Sequence, residues 1–291
     1  MIGLIPQLPP ADGPGQDGGS ASIAPRYEDI TQDARIQLTA LMPGLGAAIW
    51  RALLSEIPAI ETFRSQGILP ILSRLVVACE DRPVSVSVPI RYEGSFRFAR
   101  QKDGDRIFAN MWLTASAPLA TTIGPPPAKD APYELVGRVF AEHVVTRPFA
   151  PKDQRRVTRL DAPGVPPVPH HEHVFEGADG LIARASSPLE DLGDTVFAMM
   201  HTDSNQHVNS LVYPRVFEEA CTRKMMQDAC ISAPQLLSRA AELRFRRPFF
   251  AGERARIGAS FAPAEGAKMA AIGAFHGDGP KPSCAIQMWF R

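Results

Sequence analysis

Cysteine is scarce in this chain, and neither sign of charge prevails. Four cysteines, Cys79, Cys221, Cys230 and Cys284, are spread through 291 residues with no close pair. That spacing argues against a zinc ligand set and against a disulfide framework, and it points to a reducing cytoplasm. Lys plus Arg and Asp plus Glu each number 31, so the formal net charge is zero. Nucleic acid and anionic membranes therefore have no global electrostatic hold on the protein, and neither is expected as a partner. No apolar run reaches the length of a membrane span, and none is expected. The first residues lack a basic segment followed by an apolar core, so no secretory signal is expected either. What remains is a chain with 45% hydrophobic and 21% charged residues. It can bury a core and is long enough for two domains.

The densest chemistry lies at residues 203–209, Asp-Ser-Asn-Gln-His-Val-Asn. An acid (Asp203), two amides (Asn205, Asn209) and an imidazole (His207) fall within seven residues. An apolar run, Thr195–Met200, precedes them, and a helix-like run, Leu211–Met226, follows. Polar groups at a strand-to-helix junction suit chemistry. A helix N-terminus offers unpaired N–H groups and partial positive charge, and a nearby carboxylate can act as base or nucleophile. Taken singly, an Asp before a helix is most often a cap, His207 can be structural, and Asn209 reads as a cap or turn residue.

The string Asp203-x-Asn205-Gln206-His207-Val208-Asn209, followed by Tyr213 and Glu218, resembles the active-site segment of hotdog-fold thioesterases. It is nearest to acyl-acyl-carrier-protein (acyl-ACP) thioesterase-like and 4-hydroxybenzoyl-CoA thioesterase-like proteins. The resemblance implies an α+β fold with a long helix against a curved antiparallel sheet. It also implies hydrolysis of an acyl-CoA or acyl-ACP thioester, with Asp203, Asn205 and His207 as the catalytic set. Asn209 and Tyr213 would then contact substrate. No cofactor and no metal are implied. Two departures stand out. Ser210 follows Asn209 where the family has a second Asn. Phe249-Phe250 stands where plant-type acyl-ACP thioesterases carry an acidic residue, the nearest acids being Glu242 and Glu253. That aromatic pair is expected to line an apolar pocket.

Short strings recur along the chain. Leu72-Ser73-Arg74 returns as Leu237-Ser238-Arg239, and Arg82-Pro83 as Arg247-Pro248, both 165 residues on. Asp33-x-Arg35 aligns with Asp203-x-Asn205 at a spacing of 170, which sets Gln37 against His207. Repetition at fixed spacing marks repeated architecture, so two tandem hotdog domains are expected, 20–149 and 186–291. A flexible segment 1–19 precedes them and a Pro-rich linker 150–185 joins them. In the second, Asp194–Thr202 reads as a buried strand and Leu211–Met226 as a helix. Alternating runs follow at Ala241–Phe245, Ala255–Phe261, Met269–Phe275 and Cys284–Phe290. Arg244, Arg246 and Arg247 read as a solvated strand face. In the first, Ile23–Glu28 leads into a helix over Leu38–Leu54, with strands at Val84–Tyr92, Phe96–Phe98, Ile107–Ala115 and Leu135–Val145. Gly46 and its small neighbours Gly44 and Ala47 leave room there for an acyl pocket.

His170, His171 and His173, with Glu172 among them and no Cys beside them, read as an exposed polar turn. Arg35 and Gln37 in the first-half counterpart of the motif cannot serve as base, so one active centre per chain is expected. Two hotdog units in one chain would imitate a dimer, so a monomer suffices and a homodimer stays open. The other functions considered are a double-hotdog acyltransferase or decarboxylase of polyketide type and a non-catalytic acyl-thioester-binding protein.

Overall fold

The computed structural model describes residues 8–11, 15–102, 104–162, 165, 168, 175–229 and 237–291. His170, His171, His173 and Cys230 lie outside these.

Ten strands form one antiparallel sheet in the order β1-β3-β4-β5-β2-β7-β10-β9-β8-β6. The first five in sequence are β1 (Gly15–Ile23), β2 (Leu69–Cys79), β3 (Ile90–Arg100), β4 (Ile107–Ala117) and β5 (Glu134–Thr146). The second five are β6 (Glu190–Val196), β7 (Ser238–Phe245), β8 (Arg254–Ala264), β9 (Ala267–His276) and β10 (Cys284–Phe290). Read outward from the centre, each set has the same order, and the two meet where β2 pairs with β7 from Arg74↔Arg244 to Ala78↔Ala240. Residues directly opposite in an antiparallel pair point to the same face. Leu75 with Leu243 and Val77 with Ala241 therefore continue one apolar surface across the join.

The helices α1 (Met42–Gly44), α2 (Ala59–Ser65), α3 (Ala178–Ile182) and α4 (Val212–Ala229) divide between the two faces. On the apolar face α4 buries Tyr213, Phe217, Ala220, Cys221 and Met225, a 3.6-period stripe. Pro214 sits in its first turn, where the missing N–H costs nothing. On the same face the expected helix over Leu38–Leu54 is broken. It runs as a 3₁₀ turn (Leu38–Leu41), α1, a π-helical turn (Leu45–Arg51) and a further 3₁₀ turn (Leu54–Glu56). Pro43 removes a donor, and Gly44 and Gly46 carry poor helix propensity, so the run does not keep one register. Leu38–Glu56 is long and apolar enough to cross a membrane by length and composition, but here it lies packed on the sheet. A Cβ at Gly94 would lie 2.5 Å from Ile49, and one at Gly44 would lie 2.2 Å from the Tyr92 ring. Gly44 and Gly94 thus admit close contact, with Tyr92 filling the space beside Gly44, while a Cβ at Gly46 would meet nothing within 4 Å.

Three further expectations shift. Val84–Val88 is a turn and not a strand. Pro83 and Pro89 bracket it, and Ser85 and Ser87 hydrogen-bond each other at 2.8 Å in place of a ladder. β1 begins at Gly15, within the segment read as loop, and Tyr27–Asp29 is a 3₁₀ turn. β6 ends at Val196, and the residues read as a buried strand end, Met199 and Met200, are 77% and 86% exposed.

The opposite face of the sheet is solvated only in part, Arg91, Glu93, Thr114 and Arg138 being exposed there. The segment between the two sets covers part of it, with Ala178 and Leu181 of α3 packed on Ala285. Arg244, read as solvated, is buried. Its Nη2 lies 2.6 Å from Glu242, and Glu242 also meets Arg74 across the β2–β7 join at 2.9 Å. Arg244 Nη1 donates to the Glu176 carbonyl at 2.7 Å, and Arg246 pairs with Asp179 at 2.5 Å. These contacts tie the connecting segment down.

Glu242→Ala would strand two guanidinium groups in a buried site. We expect a loss of about 3–5 kcal/mol in urea unfolding, and an unchanged midpoint would show that the cluster does not hold the join.

His143 is buried on β5 beside Trp50, with Nδ1 unpartnered, and burial pushes its pKa down from 6.5 to about 4. Between those values the unfolded chain binds a proton that the folded chain refuses, so stability is lost as pH falls from 6.5 towards 4. Melting temperature against pH should fall less steeply over that range in His143→Leu, and identical slopes would refute the assignment.

Candidate active site

The motif closes into a tight turn. Thr202 and Val208 form an isolated antiparallel bridge, and the Asp203 N–H donates to the His207 carbonyl at 3.2 Å. Gln206 N–H donates to the Asp203 carbonyl at 2.9 Å, with Gln206 held at φ 65°. This left-handed conformation is strained for a residue with a Cβ, and such strain tends to gather at functional sites. The turn is anchored to the sheet side by Val208 N–H, which donates to the Phe249 carbonyl at 2.7 Å.

Both oxygens of Asp203 are engaged. Oδ1 accepts the Asn205 N–H at 2.8 Å, and Oδ2 accepts the Asn209 side-chain amide at 3.0 Å. Asn209 in turn caps the helix. Its Oδ1 accepts the Leu211 N–H at 2.9 Å, and its carbonyl accepts the Val212 N–H at 3.0 Å. A chain of polar bonds thus runs from the carboxylate to the start of α4, where the helix dipole favours negative charge. Among the described residues the Ser210 N–H makes no hydrogen bond.

His207 Nδ1 lies 3.3 Å from the Val208 carbonyl. A carbonyl can only accept, so Nδ1 is the donor in this contact. Asn205 is exposed and His207 half-buried at the same turn. The structure therefore gathers Asp203, Asn205, His207 and Asn209 in one place.

The other sequence candidates are placed differently. Tyr213 is buried, and its hydroxyl accepts the Phe249 N–H at 3.3 Å. Burial raises the Tyr213 pKa well above its ordinary value, so the group stays a neutral phenol. Tyr213, Phe249 and Phe197 pack tilted against one another at 5.1–6.3 Å between ring centroids. Phe249 is therefore core and Phe250 is 46% exposed. Gly46 is in the other half, and a Cβ there would meet nothing within 4 Å. Glu253 accepts the Phe250 N–H at 3.0 Å, and Glu242 belongs to the buried ion cluster on the far face. Sequence reading passed over His201, whose Nδ1 accepts the Ala198 N–H at 3.1 Å beside the turn. Its only signal was proximity to the motif.

The first half has the same turn. Ile30 bridges Ile36, Thr31 N–H donates to Arg35 O, Ala34 N–H donates to Thr31 O, and Ala34 has φ 65°. The structural spacing is 172 residues, and it corrects the alignment made on Asp33. Thr31 corresponds to Asp203, Asp33 to Asn205, Arg35 to His207, and Gln37 to Asn209. The polar groups here pair among themselves. Asp33 takes Arg35 at 2.8 Å and also contacts Thr31 and Arg239, while Arg35 meets Asp81 at 2.9 Å. Burial alone would raise the Asp33 pKa, but the Thr31 hydroxyl and the Arg239 and Arg35 charges outweigh it and hold the carboxyl below its usual range.

The fold is that of the hotdog thioesterases. An oleoyl thioesterase, so described, from Lactobacillus plantarum superposes with TM-score 0.65 at 13% identity, over 95% of this chain and 96% of that one. An acyl-ACP thioesterase from Bacteroides thetaiotaomicron gives 0.57 at 11% identity, over 94% and 97%. The 12:0-ACP thioesterase from Umbellularia californica gives 0.57 at 14%, over 94% and 96%. No family model matches the sequence, and no curated protein matches it significantly.

Asn209→Ala removes both the cap and the tie to Asp203. It should cost about 1 kcal/mol, read from thermal or urea unfolding. A variant as stable as the parent would show that the link from carboxylate to helix carries no weight.

Proposed function

We propose that the protein hydrolyses an acyl thioester, acyl-CoA or acyl-ACP, at the Asp203–Asn209 turn. The observation that carries this reading is the closed turn itself, with a carboxylate fixed at the start of an 18-residue helix. It stands in a chain whose fold matches thioesterases along nearly its whole length. In this reading the Ser210 N–H polarises the thioester carbonyl, and Asp203 supplies the negative charge that activates water. Asn205 and His207 orient that water. Water adds to the carbonyl carbon, the C–S bond breaks, and the products are a carboxylic acid and a thiol.

The reading includes two tandem hotdog units joined by the 150–185 segment, the first starting at Gly15. One centre per chain follows, because the first-half turn spends its polar groups on ion pairs. A monomer in the cytoplasm is sufficient for the work. A second reading, acyl-thioester binding or transfer without hydrolysis, is favoured by one observation. Both Asp203 oxygens already hold donors, from the Asn205 N–H and the Asn209 amide.

Incubation with a panel of acyl-CoA and acyl-ACP substrates, followed for free thiol and for acylated protein by mass spectrometry, separates the two readings. Asp203→Asn should lower hydrolysis about a hundredfold or more, and His207→Ala should lower it in part. Asn209→Ala, which keeps the charge, should retain more activity than Asp203→Asn. Wild-type turnover in Asp203→Asn would make the turn structural.

A further inference from the structure

A groove far along the sheet from the motif turn has no part in that reading. It is an open groove of about 580 Å³ between Gln101, Gly104 and Arg106, the end of β5 and the segment after it. Its lining includes Arg106, Lys152, Arg155 and Arg156, with Thr146 and Gln101, and no acidic residue among the described ones. In a chain of zero net charge, four cations on one concave surface are a local concentration of positive potential, which attracts anions.

The backbone of this wall is fixed. Thr146 bridges Arg156, Arg147 N–H donates to the Arg155 carbonyl at 2.8 Å, and the Thr146 hydroxyl donates to the same carbonyl at 2.8 Å. On the opposite side the Gln101 N–H donates to the Arg106 carbonyl at 2.9 Å. The cations are only lightly committed. Arg155 uses Nε on the Ala150 carbonyl at 2.9 Å, and Arg106 lies over the Phe175 ring at 5.2 Å. Arg156 meets Asp105 at 3.6 Å, both side chains more than half exposed, a contact that water screens and a stronger anion can displace.

We propose that this groove binds a phosphate-bearing small molecule. Guanidinium forks match phosphate oxygens two at a time, and an ammonium adds a point charge. The volume of this open groove falls in the range of small-molecule sites, roughly 300–1,000 Å³, and leaves room for an organic part beside the phosphate. By strand register, the ends of β3 and β5 and the start of β4 lie at the same end of the sheet as the end of β6, from which the motif turn departs. The inference does not rest on the thioester reading.

Isothermal titration of the full chain at low salt with sodium pyrophosphate, ADP and coenzyme A tests it. Saturable binding of pyrophosphate and ADP is expected, weakening as salt rises. The Lys152→Ala/Arg155→Ala double variant should bind roughly tenfold more weakly. Both side chains are exposed, so its melting temperature should match the parent. Asp203→Asn should bind as the parent does, whatever its effect on hydrolysis. ADP tighter than pyrophosphate places the organic part in the groove, and coenzyme A tighter than ADP names a thioester carrier as the source. In the unaltered chain, pyrophosphate should protect Arg155 and Arg156 from phenylglyoxal labelling. No saturable heat with any of the three probes, full binding in the double variant, or labelling indifferent to pyrophosphate would each overturn the proposal.

Discussion

Everything in this molecule depends on five facing residue pairs between β2 and β7. Among the described residues this is the one strand pairing that joins the two five-stranded sets. It is served on both faces. On one, Leu75, Val77, Leu243 and Ala241 carry the apolar surface across, so the broken helical run and α4 share a single core. On the other, Arg74, Glu242 and Arg244 span the join with charge, beneath the segment that connects the sets. A buried ionic cluster adds little net stability over apolar packing but penalises misalignment, because a slipped register leaves a charge unpaired.

The two turns show what one backbone can be made to do. Each has the same bridge, the same internal bonds and one non-glycine residue at φ 65°. In the second half a lone carboxylate is held by neutral donors, and an imidazole stands in the same turn. In the first half an acid sits among arginines, and the charges cancel locally. Equivalent geometry with different side chains separates the conformational demand of the turn from its chemistry.

Much of this could be read in the sequence. The strands from β7 to β10 follow their period-2 runs closely, and α4 follows its apolar stripe. The grouping of Asp203, Asn205, His207 and Asn209 was evident from spacing alone. The failures have physical causes. Val84–Val88 alternates perfectly, yet flanking prolines and serine side-chain bonds turn it. Met199 and Met200 are apolar, yet they fall beyond the last β6 bond and face solvent. Arg244 reads as a surface residue, because nothing local reveals that a segment sixty-odd residues upstream folds over it. The equivalence of the turns was misplaced by two residues, since it rests on backbone bonds and φ angles that identical Asp letters do not report.

Covalent continuity has a further consequence for the β2–β7 join. Two separate five-stranded chains would have to meet by diffusion, and their pairing would depend on concentration. Here the connecting segment turns that encounter into an intramolecular one. Assembly is then indifferent to dilution, and every molecule contains one copy of each turn. Under that fixed stoichiometry one half can lose a reactive group without producing inactive self-pairs. The charge-neutralised turn at Asp33 is a change that a symmetric dimer could not have confined to one side.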